Sequence, residues 1–293
     1  GQLADGRTVA QYIFADDLAG LNLTSKGARK FNFIVGVWAA VFGHSVGIKG
    51  IDKCAMGSVE FDPITGEARL PAGPPFGFPD GSVMPSLELW QAYAYLGFRK
   101  RMDNKDTDEL AHVSKLVRGW IARVNGVRMA KAEFVITTNS GVGGILNFHG
   151  AGCAALSRLD VAEKVAERPR RVAWGVKFRV PFGSPMVDLY LHLGWRHAMA
   201  EAAGALHAVH CDALNVPFTT PSHVSVCQGV AVTLHMLGAR GPPLQYDFAH
   251  WRDLGRPRGG HVYMVEQWLY LLTLAFSVYG EVASLKNSRH PDT

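Results

Sequence analysis

Two sets of residues in this chain carry types and spacings that suit chemistry. The first is Gly43-His44-Ser45-Val46-Gly47, in which glycines flank a serine and permit a tight turn that would expose its hydroxyl as a nucleophile. The second is a concentration of histidine, with eight of the 12 histidines lying between positions 192 and 261. Within it, His207, His210 and Cys211 fall inside one helical turn and on one arc, so all three could face a zinc or iron ion. A fourth ligand would have to come from another helix, with His223, His235, Asp247 and His250 as the available donors. Glu109-x-x-His112 is a shorter pattern of the kind that helical di-iron sites use.

The pentapeptide around Ser45 resembles the GxSxG nucleophile elbow of the α/β-hydrolase family. The resemblance covers five residues. It implies Ser45 as the nucleophile, with a histidine base and an acid that the sequence does not assign. The family places strands and an oxyanion loop before its elbow, and position 45 leaves little room for them.

Basic residues form the third candidate set. Arg99-Lys100-Arg101, Arg118, the run Arg168, Arg170 and Arg171, and the pair Arg256 and Arg258 lie near tryptophans in sequence. Arginine beside aromatics suits phosphate contact and base stacking on RNA. The net charge of +5 permits an anionic partner without requiring one.

The elements that must position these residues are mainly helical. The reading is a mainly α fold with a small β component, made of one hairpin near 58–70 and short strands near 132–138 and 171–180. Helices are expected over 8–20, 25–44, 86–102, 106–125, 153–167, from Ser184-Pro185 towards Leu214, from Thr220-Pro221 to near Gly238, over 245–253 and over 261–286. The segment 106–125 is the clearest, with Leu110, Val113, Val117, Trp120 and Val124 in one stripe and Glu109 as a capping partner. Ser140-Gly-Val-Gly-Gly144 reads as a tight turn after a strand.

The 293 residues are expected to form a single globular domain, with a possible anchor segment over 1–50 and a Pro-rich arm over 71–85. A composition of 48% hydrophobic and 19% charged residues excludes a disordered chain. Four cysteines without a CxxC pair suit a reducing intracellular compartment or organelle. Phe31 to Ile48 carries no formal charge and has a mean hydropathy of roughly +1.6, at the threshold for a membrane-spanning helix. Together these features point to a non-catalytic structural subunit of a larger assembly, either an RNA-packaging coat or nucleoprotein, or a subunit of an organellar or membrane complex. Its partners would be other protein subunits, RNA, or a membrane reached through Phe31–Ile48. The alternative is an enzyme, as a serine hydrolase through Ser45 or a metalloenzyme through His207, His210 and Cys211.

Overall fold

The computed structural model describes residues 11–14, 17–20, 25–44, 46, 54–61, 68–70, 76–103, 105–181, 187–236, 267–269 and 271. The described residues are mainly α with a small β component, as the sequence implies. They fall into two compact units. One comprises residues 1–108 with 218–228, and the other 109–217 with 229–293.

Among its described residues the first unit holds three antiparallel hairpins, one whole long helix and the first part of another. Strands β1 (Gln11–Phe14) and β2 (Asp17–Gly20) pair where a helix over 8–20 is expected. Helix α1 spans Ser25–Val41. Strands β3 (Glu60–Phe61) and β4 (Ala68–Arg69) form the expected hairpin near 58–70, with Glu60 opposite Arg69. Strands β5 (Ala92–Tyr95) and β6 (Phe98–Arg101) replace the helix expected over 86–102. The reason is the two-residue loop Leu96-Gly97, where both residues have positive φ. That geometry matches the twist of a hairpin and reverses the chain within two residues.

The second half of the Pro-rich arm turns back on itself and does not project. Gly77 bridges to Val83, and the Asp80 carboxylate accepts hydrogen bonds from the Ser82 N–H and hydroxyl. Phe76, Phe78 and Met84 are thereby buried against Ala28 of α1.

The second unit is a helical cluster. Helix α2 (Thr107–Asn125) starts just before its boundary and buries Val113, Val117 and Val124 of the stripe read from its spacing together with Ile121, with Leu110 and Trp120 of that stripe partly buried. Helix α3 (Lys131–Gly150) overturns the strand expected over 132–138 and the turn at 140–144. Two of its glycines are close contact points between helices. A Cβ at Gly141 would collide with the Trp120 ring of α2, and one at Gly150 would sit 2.8 Å from the Ala202 Cα. A 3₁₀ turn (Ala154–Ser157), α4 (Leu159–Ala162), a π-helical turn (Glu163–Glu167) and α5 (Arg168–Phe178) then run in succession. The sequence implies a helix ending at 167 and a strand over 171–180. The chain stays helical instead, and the widened π turn directly before Pro169 accommodates a ring that would otherwise meet the carbonyl four residues back.

The long helix expected from Ser184 towards Leu214 is broken into α6 (Val187–His192) and α7 (Ala198–Asn215). Gly194, at φ +68°, sits in the break, and the His197 ring accepts the Met199 N–H as the cap of α7. Helix α8 (Pro221–Met236) begins where Thr220-Pro221 marks it, with the Thr220 hydroxyl accepting the His223 N–H. The helix expected over 245–253 lies outside the described residues. Of the one expected over 261–286, only residues 267–269 and 271 are described, and they are helical.

Candidate functional site

Helix α1 exposes most of its large apolar side chains and buries small ones. At 100° per residue, Phe33, Val37, Val41, Ile34 and Trp38 occupy one arc of roughly 140°. All five are exposed, from 40% at Val37 to 72% at Val41, and Phe42 just beyond the helix is 63% exposed. The opposite face carries Ala28, Asn32 and Ala39, all buried. Gly36 lies beside that face, and a Cβ there would fall 2.6 Å from Pro79 Cδ. The small residues therefore exist to admit the Phe76–Met84 segment, and the large apolar ones point to solvent. Trp38 and Phe42 rings lie 5.4 Å apart, so the exposed side chains form a patch. A contiguous patch of this kind marks an interaction surface on a folded protein.

The end of α1 also explains the pentapeptide. The Gly43 N–H donates to the Ala40 carbonyl and the His44 N–H to the Ala39 carbonyl, at 3.3 and 2.8 Å. With Gly43 at φ +71°, this is a Schellman cap. The hydrolase elbow needs a strand before its first glycine, and here a 17-residue helix stands in that place. Ser45 itself lies outside the described residues.

The histidine set separates. Trp268 Nε1–H can only donate, so His207 Nδ1 accepts it at 3.0 Å. The neutral His207 ring then carries its proton on Nε2, which faces Cys211 Sγ at 3.4 Å. His210 is buried, donates through Nδ1 to the Leu206 carbonyl at 2.8 Å and stacks on Trp268 at 4.8 Å. Trp268 thus takes up the His207 Nδ1 lone pair, one of those a shared ion could use. Among the described residues, no group of three or more His, Cys, Asp or Glu side chains is placed to hold a metal ion.

Glu109 stands near the start of α2. It is buried, and its carboxylate meets His149 Nδ1 of α3 at 2.6 Å, with the His112 ring 5.5 Å from that of His149. A second buried acid, Glu167, joins four donors. Trp195 Nε1–H donates at 2.6 Å, the Ala198 N–H at 3.1 Å, the Tyr190 hydroxyl at 3.2 Å and Arg170 at 3.4 Å. Burial pushes the Tyr190 hydroxyl well above its usual range, and the adjacent Glu167 carboxylate adds to the shift. Arg170 lies over the Trp195 ring at 4.3 Å and donates to the Asn139 side chain and the Arg196 carbonyl. This network ties α3, α5, α6 and α7 together. Nothing in the spacing of Glu167, Tyr190 and Trp195 signals it, because the chain brings them together only through the break at Gly194.

Several of the basic candidates are already committed inside the chain. Arg170 is 1% exposed and cannot reach RNA. Arg101 pairs with Asp103 and Asp108, and Arg171 with Glu163. Arg118 and Arg168 are exposed, and Lys100 lies over the Phe98 ring next to Arg99 on β6. Arg256 and Arg258 lie outside the described residues.

No protein-family model, curated protein or solved structure matches this chain. The functional reading therefore stands on the residues alone. As for the membrane, α1 ends at Val41, short of the apolar stretch read to Ile48, and among the described residues no helix is long and apolar enough to cross one.

Proposed function

We propose that this chain is a non-catalytic structural subunit of a larger assembly, in whose native setting the outer face of α1 is covered. The observation that carries this is the inverted burial of α1, with Phe33, Ile34, Val37, Trp38 and Val41 outside and alanine, glycine and asparagine inside. The hydrophobic effect disfavours leaving such a face in water, and covering it in an assembly removes that cost. Of the two kinds of assembly, an organellar or membrane complex has more support than an RNA coat. Arg101, Arg170 and Arg171, three of the candidate phosphate contacts, are paired with acids of the same chain.

The test is the mass of the native particle together with its 260/280 nm absorbance ratio. The proposal expects a mass well above the chain's 31.9 kDa with a protein-only ratio. A nucleic-acid ratio would move the reading to a coat protein. A native mass equal to one chain would overturn it.

A further inference from the structure

Resting on that reading, we infer that what covers the outer face of α1 is the surface of an anionic phospholipid bilayer, on which the helix lies without crossing. Charge and length decide among the occupants. Helix α1 holds no acidic residue, yet Lys26, Arg29 and Lys30 crowd its first turns. The helix dipole is positive at that end, so three cations there work against the helix's own stability. An external anion removes that conflict. Arg29 is turned inward over the Phe76 ring at 5.0 Å. Lys26 and Lys30 are exposed and fall on the same arc as Phe33, Val37 and Val41. One face thus presents two ammonium groups at its N-terminal end and a band of aromatic and branched side chains along the rest.

That arrangement fits phosphate headgroups above an acyl boundary. At 17 residues α1 is about 25 Å long, short of the roughly 30 Å hydrocarbon core, so it suits lying in the interface. The opposite face is fixed by Phe76, Phe78 and Met84, and Pro79 presses on Gly36, so the apolar face cannot roll inward. With both lysines at one end, the helix lies tilted, its N-terminus at phosphate level and Val41 and Phe42 deepest.

The experiment is flotation of the purified full chain with vesicles of phosphatidylcholine, with and without phosphatidylglycerol. Wild type is expected to float with the anionic vesicles and much less with the neutral ones. Each lysine contributes roughly fivefold, so K26Q/K30Q should bind about twenty-five-fold more weakly. F33S/W38S should abolish flotation while its circular dichroism and urea midpoint stay those of wild type. Failure of the folded wild type to float would overturn the inference, as would equal flotation on both vesicle types or binding that F33S/W38S retains. A chain that never floats but comes from a large native particle would leave the subunit reading standing, with a protein on the α1 face. Flotation through α1 by a protein whose native mass is that of one chain would leave the lipid contact standing and remove the subunit reading.

Discussion

Helices α1 and α3 are both rich in small and apolar residues, but they treat them in opposite ways. In α3 Phe134, Val135, Val142 and Leu146 are fully buried while Ile136 and Phe148 stay exposed, and Gly141 and Gly150 let Trp120 and Ala202 approach. In α1 Phe33, Ile34, Val37, Trp38 and Val41 face out, Phe31 and Val35 are half-buried, and the fully covered residues are Ala28, Asn32 and Ala39. The second unit buries a face of large side chains on α3 and even buries Glu109, Glu167 and Arg170 with partners. The first unit leaves a helix half finished. Apolar content alone therefore does not say where a helix belongs. Which face is covered, and by what, does.

If that contrast is right, substitutions in the second unit should cost stability and those on the α1 face should not. The largest effect is expected for Glu167→Ala, which strands the buried Arg170 charge and the donors of Trp195 and Ala198. A loss of about 3–5 kcal/mol in urea denaturation is expected. Gly150→Val forces a side chain against the Ala202 backbone and should cost about 1–3 kcal/mol by the same measurement. On the first unit's β6 edge, Asp103→Asn should cost about 1–2 kcal/mol by weakening the pair with Arg101. Burial raises the Asp103 carboxyl, but the hydrogen bonds from Arg101 and the Lys105 N–H, together with the charges of both residues, outweigh it and hold the group below its ordinary 3.8. Its contribution is therefore complete above pH 3.8 and is lost as pH falls through the lower folded value. The Asn variant should lose that part of the acid dependence in a pH series of denaturation midpoints. The smallest change is expected for Phe33→Ser or Trp38→Ser, within about 0.5 kcal/mol of wild type. A loss of several kcal/mol at Phe33 would mean that this side chain is packed within the chain, and the contrast would fail.

The legible parts of the fold are those whose signals are local. Helix α2 follows from its three-and-four spacing, α8 from Thr220-Pro221, and the β3–β4 hairpin from its turn residues. The misread parts share a cause. Gly141, Gly143 and Gly144 look like a turn, but the requirement for glycine at Gly141 comes from a tryptophan on another helix, which no local pattern reveals. Residues 171–180 alternate like a strand, yet Trp174 is drawn into a core with Phe134 and Trp195. Leu96-Gly97 was missed as a hairpin turn because leucine seldom adopts positive φ. The α1 face was half legible. Its hydropathy drew attention to a membrane, but the sequence does not show that Phe76 to Met84 covers the small-residue side, and that covering decides which residues face outward.

The central claim is that the α1 face is exposed in the isolated chain and covered in its native setting. Hydroxyl-radical footprinting of Phe33, Trp38 and Phe42 measures this directly, on the purified chain and on the native particle. The account predicts ready oxidation at all three positions in the isolated chain and strong protection in the particle. Equal oxidation of these residues in both states would contradict it.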